Sequence, residues 1–236
     1  MNGRGERDRR SPPWGPWATA TWGLGIMAAY AAFQIATVAF LAPSGGTAVP
    51  AGPALPVGLV TSSILGVVLV VLAARRTPGG RVGAYLRLRA VRVRTVVVWL
   101  LAAAALVALG DGLNWLLDRP RVPEFDRRLY QGVDSKPLLW LAVVVAAPLF
   151  EEVFFRGFLL EGWRRSRMGP AGALALTSLL WTLIHVQYGP WEQTWVLAAG
   201  ILLGAARLRT DSLYVPLVMH AGINALGLAE LALLTD

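Results

Sequence analysis

Long apolar runs, separated by short polar stretches, organise most of this 236-residue chain. A helix needs roughly 20 apolar residues to cross a hydrocarbon core about 30 Å thick. Seven runs approach or exceed that length, and the fifth and sixth are the shortest. They lie at residues 18–42, 54–74, 95–117, 137–163, 171–188, 193–207 and 213–233. The pattern predicts an all-α fold, a polytopic transmembrane helical bundle of about seven spans.

Composition agrees with a membrane protein and narrows its chemistry. Hydrophobic residues make up 56% of the chain and charged residues only 15%, against about 25% charged in a typical soluble domain. The chain has no cysteine, which excludes disulfides, thiolate metal sites and a cysteine nucleophile. Its net charge of +8 is concentrated between the apolar runs, as membrane topology requires. We therefore expect a lipid bilayer as partner and no nucleic acid.

The distribution of basic residues predicts the orientation. Sixteen arginines lie in the N-terminal tail and in the loops after the second, fourth and sixth runs. In residues 118–136, five basic residues are largely offset by four acidic ones. Because cytoplasmic loops collect Lys and Arg, this predicts a cytosolic N-terminus and an external C-terminus. Arginine supplies 21 of the 22 basic residues, a usage that suggests a GC-rich bacterial source and hence a bacterial plasma membrane.

Two basic segments outside the spans have their own interpretations. Residues 1–17 are polar and rich in Arg and Pro, and we predict a disordered cytoplasmic tail. The apolar run that follows is too long for the core of a cleavable signal peptide. Residues 75–94 mix Arg with Leu, Val and Tyr. They either lie on anionic lipid as an amphipathic segment or form a charged loop that only fixes topology, and we favour the second interpretation.

Ionisable side chains inside the predicted spans are the candidates for function, because each costs about 2.5–3.5 kcal/mol at mid-bilayer. The fourth span carries Glu151, Glu152 and Arg156, the fifth His185, and the seventh His220 with Asn224.

The adjacent glutamates predict two different roles. Glu152 and Arg156 are four residues apart on one helix face, so we expect an ion pair with at least a partly structural role. Glu151 points about 100° away from Glu152. It lacks that same-helix partner and is free to face a cavity. Two neighbouring carboxylates in a low dielectric resist joint ionisation, which suits one of them to act as a general base.

The other polar residues leave alternatives open. His220 and Asn224 share a helix face, where they either donate hydrogen bonds to an oxyanion or clamp two helices together. His185 shares its face with Trp181 and Ser178, and a single buried histidine is more often a packing residue. His185 also lies about 9 Å from the centre of its span. Its participation therefore requires that span to be shifted or tilted, or the cavity to be deep.

These groups together describe peptide hydrolysis by an activated water without a covalent intermediate. The chain has neither the G-x-S-x-G elbow of serine hydrolases nor the H-E-x-x-H motif of zinc proteases.

The three polar motifs resemble the signature of the CPBP intramembrane proteases, also called the CAAX prenyl protease and bacteriocin-processing (Abi) family. That signature reads E-E-x-x-x-R, F-x-x-x-H and H-x-x-x-N or D on three membrane helices. Here the motifs read Glu151 to Arg156, Trp181 to His185 and His220 to Asn224, within about residues 137–226. Trp181 stands where Phe is usual, and we expect that change to affect packing more than chemistry.

The resemblance implies roles for the site residues. Glu151 would activate water with the help of His185, and His220 with Asn224 would stabilise the oxyanion. Glu152 and Arg156 would support and orient the centre.

The resemblance also implies an intramembrane endopeptidase that acts on a membrane-associated peptide or protein, near its C-terminus. We favour a mechanism without a cofactor, but a zinc site formed by Glu151, His185 and His220 is an alternative. Residues 137–233 would form the catalytic core, and residues 18–117 would supply N-terminal transmembrane helices.

Two other functions compete with the protease. A non-catalytic scaffold or a bacteriocin immunity protein could use the same fold, with the polar cluster serving only packing or binding. A transporter could use the polar groups as a proton or substrate path. The chain shows no internal repeat or matching pair of broken helices, which transporters often have.

Overall fold

The computed structural model describes residues 15–42, 52–77 and 81–235. Residues 1–14 of the predicted disordered tail, with its four arginines, lie outside the described residues. The remaining part of that tail differs from the prediction, because the first helix already begins at Pro16. Proline suits this position, where its missing N–H leaves no helical hydrogen bond unmade.

Each predicted span is helical in the structure. The helices are α1 Pro16–Leu41, α2 Ala54–Arg75, α3 Val82–Tyr85, α4 Val93–Leu116, α5 Glu124–Gly132, α6 Lys136–Trp163, α7 Gly169–Leu183, α8 Pro190–Thr210 and α9 Tyr214–Thr235. Within the described residues, only turns and irregular segments connect them. The predicted all-α helical bundle is confirmed.

Among the described residues, five helices are long and apolar enough to cross a membrane, namely α1, α2, α4, α6 and α9. The chain is therefore a multi-pass membrane protein. Helix α7 has only 15 residues, and α8 has 21 residues but carries charged side chains at both ends. The count of seven spans and the cytosolic N-terminus stay predictions.

Two predicted boundaries are wrong by several residues. The fifth span was placed at 171–188, but α7 ends at Leu183. The sixth was placed at 193–207, but α8 extends to Thr210, so Arg207 and Arg209 lie on the helix and not in a loop. In both cases apolar periodicity alone did not locate the end of the helix, which depends on the neighbouring turns.

Helix α6 is the centre of the bundle, and its residues 152–163 are all buried. Its aromatic side chains form a column in which the ring centroids of Phe150 and Phe154 lie 5.5 Å apart. The ring of Tyr30 on α1 stacks on Phe150 at 4.1 Å. On α2, a Cβ at Gly66 would come within 2.4 Å of the Phe150 ring. Only glycine permits this approach of α2 to α6.

Helix α6 contains two wider, π-helical segments, Leu141–Ala146 and Glu152–Leu159. Pro148 accounts for the first of them. A proline inside a helix has no N–H for the carbonyl four residues earlier, and its ring clashes with that carbonyl. That carbonyl belongs to Val144, inside the first segment. The second segment begins at Glu152, directly after Glu151. Such π-helical turns are frequent at functional sites.

A second buried charge lies further along α6, at Glu161. The Glu161 carboxylate accepts hydrogen bonds from Arg87 at 3.0 Å and from the fully buried Arg207 at 3.1 Å. Arg87 also binds Asp211 at 3.0 Å, and its carbonyl accepts a bond from the backbone N–H of Leu213. The segment between α3 and α4 therefore anchors the bundle as well as carrying charge. The interpretation of residues 75–94 as a loop that only fixes topology did not include this contact.

The predicted orientation can be tested with single cysteines, because the chain has none of its own. We expect Asp134→Cys to react with a membrane-impermeant maleimide in intact cells, and Arg167→Cys to react only after the membrane is opened. Both positions are exposed in the structure, and they lie in loops that are predicted to be on opposite sides of the membrane. The reverse labelling pattern would show that the orientation is inverted.

Candidate active site

The predicted Glu152–Arg156 ion pair is confirmed. Arg156 Nη1 lies 3.0 Å from Glu152 Oε1, and the two side chains are 1% and 0% exposed. Arg156 Nη2 also donates to the carbonyl of Gly200 on α8, at 3.3 Å. The pair therefore neutralises charge within α6 and links α6 to α8.

His220 connects α9 to both glutamates. Its Nδ1 lies 2.9 Å from Glu152 Oε1, and its Nε2 lies 3.9 Å from Glu151 Oε2. Glu152 Oε1 also accepts a hydrogen bond from Arg156, and the contact with Nδ1 is a second such bond when that nitrogen carries the ring proton. This contact fixes the ring and directs Nε2 towards Glu151.

Glu151 faces a cavity, as its position on the helix predicted. Its side chain is 13% exposed and lines an open cavity of about 540 Å³. Its Oε2 accepts a hydrogen bond of 2.5 Å from the indole Nε1 of Trp181. The two adjacent glutamates thus have different environments, one fully buried and one open to the cavity.

Trp181 takes part in more than packing, so the expectation for this position was incomplete. The side chain is 4% exposed and lies edge-on to two rings. The centroid of Trp181 is 4.8 Å from that of His185 and 5.3 Å from that of His220. A phenylalanine would fill part of this space but could not donate a hydrogen bond to Glu151.

The early end of α7 resolves the question of where His185 lies. His185 follows the helix by two residues and turns back, with Nδ1 2.7 Å from the carbonyl oxygen of Trp181. It lines the same cavity as Glu151 and His220. A shorter helix followed by a turn brings His185 to the cavity, where a straight span of 171–188 would have left it near the outer surface.

Asn224 clamps two helices with one of its donors. Its Nδ2 donates to the carbonyl of Val143 at 2.8 Å, inside the first π-helical segment of α6. The side chain also lines the cavity. The amide has a second N–H, so the clamp leaves one donor for another acceptor.

The structure brings the predicted residues together, although their catalytic roles stay predictions. Glu151, His185, His220 and Asn224 line the cavity, while Glu152 and Arg156 lie behind it. Among the described residues, no three His, Asp or Glu side chains converge closely enough to hold a metal ion. A zinc site at Glu151, His185 and His220 would therefore require these side chains to move.

Sequence reasoning missed two residues of the cavity, Asp126 on α5 and Tyr188 after α7. The Tyr188 hydroxyl lies 3.0 and 3.2 Å from the two carboxylate oxygens of Asp126 and donates to them. The Tyr188 ring stacks on His185, with centroids 6.0 Å apart. Burial raises the pKa of Asp126 to about 6, and burial beside Asp126 raises the pKa of Tyr188 well above 10. No motif marked either residue, and Asp126 was counted only as a loop charge.

Comparison with known proteins supports the resemblance seen in the motifs. Residues 134–226 match the family model described as type II CAAX prenyl endopeptidase Rce1-like. Over these residues, which are less than half of the chain, the sequence is similar to that family. The matched region contains all six predicted site residues and extends from the loop before α6 into α9.

A relative from Escherichia coli, described as an uncharacterized 24.3 kDa protein, also matches the chain. The two are 33% identical over 141 residues, which are 56% of this chain and 63% of that protein. The chain thus spans less than two thirds of that relative's length. No solved structure matches the chain.

The buried ion pair predicts a large loss of stability in Arg156→Gln. The variant leaves the Glu152 carboxylate buried without its guanidinium, which costs on the order of 3–5 kcal/mol. Unfolding in mixed detergent micelles measures the loss. The control is Arg128→Gln, because Arg128 and Glu124 form an i, i+4 pair at the surface. A similar small effect in both variants would contradict a structural role for the buried pair.

The raised pKa of Asp126 predicts that its contribution to stability declines with pH. The folded state binds the proton more tightly than the unfolded chain, so stability is fully present below pH 3.8 and is lost as pH rises through about 6. The loss amounts to about 3 kcal/mol. We expect melting in detergent to show this decline in the wild type and in Asp134→Asn, but not in Asp126→Asn. An unchanged decline in Asp126→Asn would assign it to other groups.

Proposed function

We propose that this protein is an intramembrane endopeptidase in which Glu151 activates the attacking water. The observation that carries the proposal is the placement of Glu151, which alone of the two adjacent glutamates faces the cavity. Glu152 is held by Arg156 and His220 and is not available to a substrate. The Rce1-like match over residues 134–226 supports peptide hydrolysis as the reaction class.

The proposed reaction begins when Glu151 takes a proton from water. The water oxygen forms a bond to the carbonyl carbon of the peptide, and the carbonyl oxygen becomes an oxyanion. The carbon–nitrogen bond then breaks as Glu151 returns the proton to the leaving nitrogen. A general base and acid of this kind contributes about 10²–10⁴-fold to a rate. His185 lines the same cavity and would help to hold the water.

The oxyanion would be stabilised by His220 and Asn224. With Nδ1 of His220 bound to Glu152, Nε2 donates a hydrogen bond when the ring is protonated. The second N–H of Asn224 is the other candidate donor. Removing one such donor in a hydrolase costs about 10²–10³-fold in kcat. This arrangement agrees with the clamp between Asn224 and Val143, because the clamp fixes the amide in place.

The proposed substrate is a peptide or protein at the membrane, cleaved near its C-terminus. The cavity extends from Glu151 in α6 to Tyr188 and Trp191 beyond the end of α7, and its lining is mainly apolar. It can therefore receive an extended segment from a chain that is anchored in the bilayer. We propose the bacterial plasma membrane as the location.

Cleavage of a quenched fluorogenic peptide library by detergent-purified protein tests the function. We expect the wild type to release fluorescence and Glu151→Gln to lose at least about 10²-fold of the rate. The matched control is Glu124→Gln, an exposed glutamate on α5, which should retain the wild-type rate. Library members with free and blocked C-termini show which end of the substrate is recognised.

Adding a chelator to the assay distinguishes the glutamate-activated water from a mechanism that uses zinc. Activity that is lost in Glu151→Gln but unaffected by chelator supports the glutamate-activated water. Chelator-sensitive activity that zinc restores would instead place a metal at Glu151, His185 and His220. If the folded wild type cleaves no peptide, the non-catalytic scaffold or immunity function replaces the protease.

A further inference from the structure

Trp181 contacts three residues of the candidate site, although its place in the motif predicted only a packing role. Its indole Nε1 donates to Glu151 Oε2 at 2.5 Å. Its ring lies edge-on to both His185 and His220. The position follows from α7, whose last full turn carries Trp181 inward to α6 and α9.

The indole is held on its face and its edge. The guanidinium carbon of Arg156 lies 4.5 Å from the centroid of the Trp181 ring, a distance at which a cation and an aromatic face attract. On α8, a Cβ at Gly200 would lie only 3.1 Å from Trp181 Cε3, so this helix packs closely against the ring. Because the ring cannot turn in this space, its N–H stays directed at Glu151.

We propose that Trp181 is a positioning residue that holds the carboxylate of the proposed general base through its indole N–H. This inference rests on the proposed function of Glu151. An indole can only donate a hydrogen bond, so Oε2 stays tied to Trp181 and Oε1 is the oxygen that takes the proton from water. The contact also keeps Oε2 from closing the 3.9 Å gap to His220 Nε2. The family signature has Phe at this position, which cannot supply the contact.

The hydrogen bond can be measured without any substrate. Tryptophan labelled with ¹⁵N gives one indole N–H signal for each of the ten tryptophans, and Trp181→Phe identifies the signal of Trp181. We expect that signal to lie downfield, as for a short bond to a carboxylate, and to move upfield in Glu151→Ala. The control Glu124→Ala should leave it in place. A Trp181 signal that Glu151→Ala does not move would overturn the proposal, whether or not the protein cleaves peptides.

The effect on catalysis is tested with an isostere. Replacing Trp181 by 3-benzothienylalanine keeps the size and shape of the ring but exchanges the N–H for sulfur. Misplacing a catalytic group by about 1 Å can cost on the order of 10²-fold in rate, so we expect kcat to fall by about 10- to 100-fold. KM should stay at its wild-type value, because the indole N–H contacts Glu151 and not the substrate. Equal kcat in the isostere and an active wild type would reject the role of Trp181 while leaving the function of Glu151 intact.

Discussion

The fold of this protein depends on neutralising a charged group in the interior of a membrane helix. Glu152 is fully buried, and a carboxylate in such a place is tolerated only when it is paired and hydrogen-bonded. Arg156 supplies the charge from the same helix, and His220 supplies a hydrogen bond from α9. Because Arg156 also binds the Gly200 carbonyl, this one requirement fixes α8 and α9 against α6. The walls of the cavity are thereby set by the same contacts that pair the carboxylate through its Oε1.

The same constraint acts a second time on α6, at Glu161, and connects the bundle to its loops. Arg87 comes from the segment after α2 and Arg207 from the end of α8, and both bind the Glu161 carboxylate. Arg87 has a positive φ of 58°, a conformation that most residues avoid and that its carbonyl contact with Leu213 helps to hold. The central helix is thus attached by ion pairs at two levels. Phe154 and Phe158, whose stacked rings have centroids 6.4 Å apart, lie between these levels along the helix.

The sequence predicted what depends on spacing within one helix and missed what depends on contacts between helices. The lengths of the apolar runs predicted where the helices lie. The four-residue spacing of Glu152 and Arg156 predicted their ion pair, because both are local properties of the sequence. The end of α7 could not be predicted in this way, since the turn after Leu183 is not encoded by apolar periodicity. The bond from Trp181 to Glu151 and the burial of Asp126 arise only when separate segments meet. An aromatic ring in a motif indicates packing, and nothing local to the sequence reveals which way its N–H points.

The difference between the two glutamates follows from one step along the helix. Successive side chains point about 100° apart, so Glu152 meets Arg156 and His220 while Glu151 meets the cavity. Glu151 and His220 lie 3.9 Å apart, close enough in a low dielectric for each to respond to the charge of the other. In the proposed reaction, Glu151 loses its negative charge when it takes the proton from water, and the peptide carbonyl oxygen gains a negative charge in the same step. The total charge of the site therefore stays constant while the negative charge moves from Glu151 to the oxyanion, which the proposed donors on His220 and Asn224 would stabilise.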